Sequence, residues 1–168
     1  MKHHRSSIYT STTLEGFQLE LVETIACRFG CVFNYTVIFP MQALSIHHVA
    51  IVCSNYEKSK HFYTQILGFE ILQETYRAER NSYKLDLQGG NGDRLELFSF
   101  RDPPERLTQP EACGLRHLAF AVTDLDGAVA ELTRQGVSVE PIRVDELTGK
   151  RFTFFPDPDC LPLEMYER

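Results

Sequence analysis

The chain repeats one pattern of apolar and polar positions in two places. HHVAIVCSNY and RHLAFAVTDL are short apolar runs, typical of strands, and each ends near a residue type that caps helix N-termini. Behind each cap, apolar positions recur at helical spacing until a glycine stops the pattern. Both stretches therefore predict a strand followed by a helix. The caps are Asn55 and Asp124, and the stops are Gly68 and Gly136.

A strand-rich region with turns follows each predicted helix, so that each half reads β-α-β-β-β. The strands are predicted at residues 70–76, 83–87 and 94–100 in the first half, and at residues 137–144, 151–155 and 162–166 in the second. Turn residues separate the last two strands of each half, at 89–92 and 156–159. The pattern predicts an α+β fold of two tandem βαβββ modules.

The domain boundaries follow from the same pattern. Residues 101–113 hold three prolines, which strands and helices tolerate poorly, and this segment is predicted to link the modules. The repeated domain is predicted at residues 44–168, with module 1 at about 44–101 and module 2 at about 114–168.

Residues 1–40 differ from the rest of the chain. They include a Ser/Thr-rich stretch and alternate only weakly between apolar and polar positions, as at residues 33–39. We interpret them as an N-terminal extension outside the repeated core, upstream of an alternative start at Met41. The competing interpretation is that residues 33–39 add a strand to a sheet edge of the domain.

Charge and cysteine content narrow the classes of function. Lys+Arg number 17 and Asp+Glu 23, so the net charge is −6, and no run of cations forms a patch for nucleic acid or anionic lipid. A small-molecule partner is expected, with neither nucleic acid nor a membrane. Five scattered cysteines do not make a disulfide scaffold, and neither a secretory signal nor a membrane-spanning segment is recognised, so a cytoplasmic location is expected.

One His and one Glu recur at matching places in the two modules. His48 and His117 lie early in each first strand, 69 residues apart, and Glu96 and Glu164 lie in each last strand, 68 residues apart. Each Glu has apolar neighbours on both sides, and a carboxylate there needs a compensating charge. Two imidazoles and two carboxylates suit one divalent ion of Ni, Zn, Co, Mn or Fe. The alternative is that each of the four is an ordinary polar residue at a strand end.

The paired modules resemble the vicinal-oxygen-chelate superfamily, which includes glyoxalase I, fosfomycin-resistance thiol transferases, extradiol dioxygenases, methylmalonyl-CoA epimerase and bleomycin-binding proteins. The resemblance covers residue 46 to the C-terminus, and the run FSFRDPPERLTQPEACGLRHLAF is similar to a bacterial subgroup labelled glyoxalase-like. The motifs that carry it are HHVAIV, LELF, GLRHLAFAV and FFPDPDCLPLEMYE. The resemblance implies a curved, cup-like mixed sheet with helices outside.

The resemblance also implies a metal centre and its chemistry. The ligands would be His48, Glu96, His117 and Glu164, and the metal would chelate adjacent substrate oxygens and stabilise an enediolate. Glu164 is the first choice for the catalytic base, and Glu96 is its catalytic partner. The function implied is that of a metal-dependent lyase or isomerase acting on a small α-oxo or α-hydroxy carbonyl compound or its thiol adduct.

Ligand count distinguishes the members of this superfamily. Two His with two Glu match glyoxalase I, whereas bleomycin-binding members lack the ligands. Two alternatives stay open, which are a dioxygenase or thiol transferase with the same metal, and a non-catalytic small-molecule-binding module. The sequence departs from glyoxalase I at its glutathione-anchoring positions, where Val52 and Phe100 stand. Cys160 replaces the usual Gly of the second turn, where glycine tolerates a positive φ at little cost.

Residues that would line the pocket follow from strand parity. Phe98, Phe100 and Tyr166 share parity with the two Glu and are predicted to line the same face. Arg143, Lys150 and Arg151 are candidates to hold a substrate carboxylate or phosphate, with solvated strand-end charges as the alternative.

A homodimer is expected from the architecture. Each four-stranded sheet leaves an edge and an apolar face, so two halves must pair to close the cup. The pairing is possible within one chain or across a symmetric dimer, and the sequence leaves both open.

Overall fold

The structure is a computed structural model that describes residues 21–26, 32–37 and 45–168. The chain divides into two compact units, Met1–Ser45 and Ile46–Arg168. In the first unit, β1 (Leu21–Ala26) and β2 (Val32–Val37) pair as an antiparallel two-stranded sheet. The rest of the predicted N-terminal extension lies outside the described residues.

The second unit contains two four-stranded mixed sheets of the same topology, with strand orders β3-β6-β5-β4 and β7-β10-β9-β8. In each sheet the first strand runs parallel to the last, and the remaining pairs are antiparallel. The first module consists of β3 (Val49–Cys53), α1 (Tyr56–His61) with a π-helical turn (Phe62–Ile66), β4 (Glu70–Arg77), a 3₁₀ turn (Ala78–Arg80), β5 (Ser82–Gln88) and β6 (Arg94–Ser99). The second consists of β7 (Leu118–Val122), α2 (Leu125–Arg134), β8 (Arg143–Val144), β9 (Arg151–Pro156) and β10 (Pro162–Glu167). The predicted α+β fold of two βαβββ modules is confirmed.

Both helices begin at the capping residues that the sequence predicts. The side chain of Asn55 accepts a hydrogen bond from the Lys58 amide at 3.1 Å, and the side chain of Asp124 accepts one from the Gly127 amide at 2.9 Å. These bonds satisfy backbone donors that the first helical turn leaves free. The predicted N-caps are therefore confirmed.

Strand β8 is much shorter than predicted. Residues 137–144 carry a strand pattern, but only Arg143–Val144 pairs with β9. Upstream, the Glu140 amide donates to the carbonyl of Phe154, and the Thr153 hydroxyl donates to the carbonyl of Glu140. Pro141 has no N–H to continue the ladder. The segment therefore runs beside β9 through isolated bonds.

Burial alternates along the strands that carry the candidate ligands. In β6, Leu95 and Leu97 are buried, whereas Glu96 and Phe98 are only partly buried. In β10, Leu163 and Met165 are buried and Glu164 and Tyr166 are partly buried. Helix α1 packs against β6 and α2 packs against β10. The face of each sheet that points away from this core carries the candidate ligands, and we call it the site face.

The turn between β9 and β10 forms one of the contacts between the two modules of the second unit. Asp157 and Asp159, in the turn between β9 and β10, accept hydrogen bonds from the Tyr63 hydroxyl at 3.0 Å and the Ser54 amide at 3.1 Å. A second contact is the edge-to-face packing of the rings of Phe69 and Phe120 at 5.8 Å. Helices in the described parts of the chain are too short or too polar to cross a membrane.

Candidate functional site

The first His–Glu pair lies on the site face of module 1. Residue 48 immediately precedes β3, and β3 pairs in parallel with β6, with Ala50 opposite Glu96. This register brings the His48 Nε2 to 3.6 Å from the Glu96 Oε2. The Glu96 side chain is 15% exposed and the His48 side chain is 37% exposed. A largely buried carboxylate therefore faces an accessible imidazole.

The second pair repeats this arrangement in module 2. Strand β7 pairs in parallel with β10, with Ala119 opposite Glu164. The His117 Nε2 lies 3.2 Å from the Glu164 Oε2, and the Glu164 side chain is 12% exposed. The repeated register explains why two residues more than 45 positions apart meet in each module, because a parallel pairing joins the first strand to the last.

The two pairs do not form one cluster within a single chain. Among the described residues, no three His, Cys, Asp or Glu side chains are grouped closely enough to hold a metal ion. Each module therefore presents a half-site with one imidazole nitrogen and one carboxylate. The donor types fit a divalent transition metal, because imidazole and carboxylate ligands together suit these ions. Completing a four-ligand shell requires the two half-sites to meet.

The half-sites differ in their cations. The Lys84 Nζ lies 2.9 Å from the Glu96 Oε1 and also contacts Asp86. Hydrogen bonding to these two carboxylates, Asp86 first, raises the pKa of Lys84. Phe152 is the residue of β9 that matches Lys84 in the register of the repeat, so Glu164 has no such lysine. Lys84 was not predicted as a site residue, because the sequence offered only its parity with Asp86 on a predicted strand.

Aromatic rings flank both half-sites. The rings of Phe98 and Phe100 stack at 6.3 Å with planes 10° apart, on the same strand face as Glu96. In module 2, Tyr166 stacks on Phe152 at 6.3 Å, and Phe154 packs edge to face against His117 at 5.2 Å. The three aromatic residues predicted from parity thus lie beside the predicted ligands. Phe152 and Phe154 had the same parity signal on β9 but were not singled out.

The three predicted anion-binding cations have different surroundings. The Arg143 guanidinium lies over the rings of Phe152 and Phe154, at 5.0 and 5.3 Å, and pairs with Glu140 at 2.8 Å. The remaining two are engaged elsewhere. Lys150 donates to the carbonyl of Arg168 at 2.6 Å, and Arg151 pairs with Asp126 of α2 and with Glu167. Arg143 alone of the three lies over aromatic rings of the site face.

A cavity of 240 Å³ opens between the linker and the site face of module 2. Its charged groups include Arg106, Arg116 and Arg143 together with Glu111 and Glu140. The Arg116 Nη1 lies 3.2 Å from the His117 Nδ1, so the cavity adjoins the second half-site. Because Arg116 and Arg143 are already paired with Glu111 and Glu140, Arg106 leaves this cavity with one excess positive charge.

The described cysteines are of two kinds. Cys53 is buried in the core, and burial raises the pKa of its thiol to about 11. Cys160 is exposed and has a backbone φ of 63°, so it occupies the left-handed conformation that favours glycine. The turn keeps the geometry typical of glycine although a cysteine stands there.

The family model of the Glyoxalase/Bleomycin resistance protein/Dioxygenase superfamily matches residues 45–165 of this chain. The chain belongs to this superfamily. Two curated relatives each match about three quarters of the chain. The uncharacterized protein YwkD of Bacillus subtilis (strain 168) is 67% identical over 74% of this chain and 97% of its own length. The uncharacterized protein YaeR of Escherichia coli (strain K12) is 57% identical over 73% of this chain and 95% of its own.

A solved structure of the superfamily agrees with the fold. The crystal structure of the glyoxalase family protein from Enterococcus faecalis is 52% identical to this chain and has a TM-score of 0.71. The match covers 76% of this chain and all of that one. The superfamily includes many enzymes, and its members typically bind a divalent metal ion.

Proposed function

We propose that this protein is a metal-dependent lyase or isomerase of the glyoxalase I type, acting on a small α-oxo or α-hydroxy carbonyl compound or its thiol adduct. The observation that carries the proposal is the recurrence of one His–Glu pair at the same register in both modules. One divalent ion of Ni, Zn, Co, Mn or Fe would be held at each complete site by His48, Glu96, His117 and Glu164.

The complete site needs a second subunit in this proposal. The half-sites are separate within the chain, and β3 and β7, which flank the two histidines, are both edge strands. On the face that bears the histidines, these strands expose the small side chains of Ala50 and Ala119, and Val52 is 50% exposed. Small residues allow close approach of another surface. We therefore propose a homodimer in which module 1 of one subunit meets module 2 of its partner.

The two glutamates have different surroundings and so different proposed roles. A bound divalent ion would supply Lewis acidity toward the substrate oxygens. Glu164 would remove the proton from the carbon next to the substrate carbonyl, because no lysine or arginine of the described chain is paired with it. Glu96 is held by Lys84, which favours a positioning role for this carboxylate. Phe98, Phe100 and Tyr166 would exclude water and orient the apolar part of the substrate.

A more distant relative supports catalysis by such a site. The protein named 2-epi-5-epi-valiolone epimerase from Actinomyces sp. is 29% identical over 73% of this chain. Epimerisation at a carbon next to a carbonyl requires removal of a proton from that carbon, which is the step assigned here to Glu164.

The free thiols of Cys53, Cys113 and Cys160 support a reducing, cytoplasmic location.

Metal analysis of matched variants tests the proposal. The wild-type protein is expected to hold one divalent ion per subunit, and His48→Ala and His117→Ala are each expected to lose most of it. His61→Ala is the control, because His61 is an exposed imidazole at the end of α1, outside both His–Glu pairs. A screen of α-oxoaldehydes with and without thiols should show turnover by wild type and by His61→Ala only. Full metal content in both ligand variants would overturn the assignment.

A further inference from the structure

The side chain of Arg77 is held in a fixed position on the site face of module 1. It is the last residue of β4, and its Nη2 donates a hydrogen bond of 2.8 Å to the Oγ of Ser82, the buried first residue of β5. Its guanidinium carbon lies 5.0 Å from the ring centre of Phe98 and 5.7 Å from that of Phe100. The hydroxyl and the two rings hold the guanidinium in one place, so little conformational entropy remains to be lost on binding.

This guanidinium lacks a counter-ion within the described part of the chain. No Asp or Glu there forms an ion pair with Arg77. Its Nε is buried and has no hydrogen-bond partner. Arg143 is the comparison, because it also lies over two phenylalanine rings but is paired with Glu140 at 2.8 Å.

Arg77 is linked to the metal half-site by a continuous band of side chains. The ring of Phe98 is in contact with both Arg77 and Lys84, whose Nζ is 5.9 Å from the ring centre. Lys84 in turn contacts Glu96 at 2.9 Å. Because Lys84 already contacts both Asp86 and Glu96, its charge is compensated within the protein. Among the side chains that connect Arg77 to Glu96, Arg77 is therefore the cation without a carboxylate partner in the described part of the chain.

We infer that Arg77 binds an oxyanion of the substrate, a carboxylate or a phosphate, on the part of the site face that carries Phe98 and Phe100. A guanidinium offers paired N–H donors in a planar fork that matches both groups. The inference rests on the proposed function, whose substrate it narrows to α-oxo or α-hydroxy compounds that bear an anionic group. Such a substrate would span from Arg77 toward the Glu96 half-site.

Anion binding to the metal-free protein tests the inference separately from metal chemistry. The protein is treated with a chelator, and its arginine Nε–H signals are followed by ¹H–¹⁵N NMR during titration with pyruvate and, in a second arm, inorganic phosphate. Arg77→Lys identifies the Arg77 signal. The wild-type signal is expected to shift saturably with at least one probe, and the tighter probe shows which oxyanion the site prefers. The affinity of Arg77→Gln is measured from the shifts of its backbone amide signals, and this variant should bind that probe at least tenfold more weakly.

The matched control is Arg80→Gln, which removes one positive charge from the exposed 3₁₀ turn three residues further on. It should bind the probes as wild type does. The inference is overturned if neither probe shifts the Arg77 signal, or if Arg77→Gln binds both probes with wild-type affinity. It also fails if Arg80→Gln weakens binding equally, since that would indicate a general charge effect.

Two further measurements keep the test decisive. If Arg77→Gln does not fold, Arg77→Lys takes its place, because it keeps the charge and loses the fork. It should weaken binding at least threefold, and unchanged affinity would overturn the inference. The metal content of the folded Arg77 variant should equal that of wild type. Failure of anion binding therefore leaves the metal centre standing, and failure of the metal centre leaves anion binding measurable.

Discussion

The hydroxyl of Tyr63 donates a hydrogen bond of 3.0 Å to the buried carboxylate of Asp157, and this contact joins the helical segment of module 1 to the last turn of module 2. The same carboxylate accepts from the amides of Asp159 at 2.9 Å and Leu161 at 2.7 Å. These bonds favour the charged form, but burial is the larger effect and raises the pKa of Asp157. The contact between modules therefore carries a pH dependence.

The first prediction concerns that dependence. Because the pKa of Asp157 is higher in the folded state than in the unfolded state, protonation of Asp157 favours folding. Its contribution to stability is present below the unfolded pKa, near 3.9, and is lost as pH rises through the folded pKa. Asp157→Asn removes the titration while keeping an acceptor for both amides. Relative to this variant, the wild type should lose unfolding free energy as pH rises from about 4 toward neutrality.

Denaturant unfolding at a series of pH values measures this difference. Wild type must be compared with Asp157→Asn because other carboxylates have lowered pKa values, and these make stability rise with pH in both proteins. They are Glu74, Glu131, Asp145 and Glu167. Asp102→Asn is the control, since it removes one exposed carboxylate outside the contact between modules. A pH-independent difference between wild type and Asp157→Asn would show that Asp157 does not couple to folding.

The second prediction concerns backbone strain at Cys160. A non-glycine residue in the left-handed region costs about 1–2 kcal/mol, and part of this is offset by the greater freedom of glycine in the unfolded chain. Cys160→Gly should therefore raise the free energy of unfolding by about 1 kcal/mol. Cys160→Ala keeps the strain and removes the thiol, so it should leave stability nearly unchanged. Equal stabilities of the two variants in urea would contradict the strain argument.

The third prediction distinguishes a site shared between subunits from a site within one chain. His48→Ala and His117→Ala are each expected to be inactive alone. In a mixed dimer, the intact module 1 of the His117→Ala subunit meets the intact module 2 of the His48→Ala subunit and forms one complete site. With half of the dimers mixed and one of two sites intact in each, remixing should restore about one quarter of wild-type metal content and activity.

Co-refolding of the two variants in equal amounts provides the measurement. Mixing His48→Ala with Glu96→Gln is the control, because both changes lie in module 1 and no complete site can form. Recovery in the first mixture without recovery in the control supports the shared site. No recovery in either mixture, with mixed dimers verified by mass, would show that the ligands of one chain form their own site.

The fourth prediction concerns the N-terminal segment. The compact unit Ile46–Arg168 contains both half-sites, and the superfamily match begins at residue 45. We propose that residues 1–40 are an extension, so a chain that begins at Met41 should fold and bind metal as the full chain does. Circular dichroism and metal analysis of the two chains give the comparison. Loss of folding or of metal would assign the extension to the domain.

Much of the fold was readable from the sequence because the signals are local. Asn55 and Asp124 cap helices through contacts three residues away, and alternation along β6 and β10 separates the core face from the face of Glu96 and Glu164. The repeat itself paired each His with its Glu, since two copies of one pattern fold to the same register. Such regularities depend on backbone geometry and hydrophobic period, which the order of residues specifies directly.

The tertiary structure decided what depends on contacts between distant segments. It separated the two His–Glu pairs within one chain and joined Lys84 to Glu96. It placed Arg77 over Phe98 with no carboxylate partner among the described residues. It also limited β8 to two residues and turned Arg151 toward α2. Sequence pattern cannot foresee these outcomes, because each is set by which strands are neighbours and by which charges the finished packing brings within a few ångströms. The amino-acid sequence thus determined the two modules and their four candidate ligands, whereas non-local packing determined how those ligands are divided between the modules and which cations of the site face are paired with carboxylates.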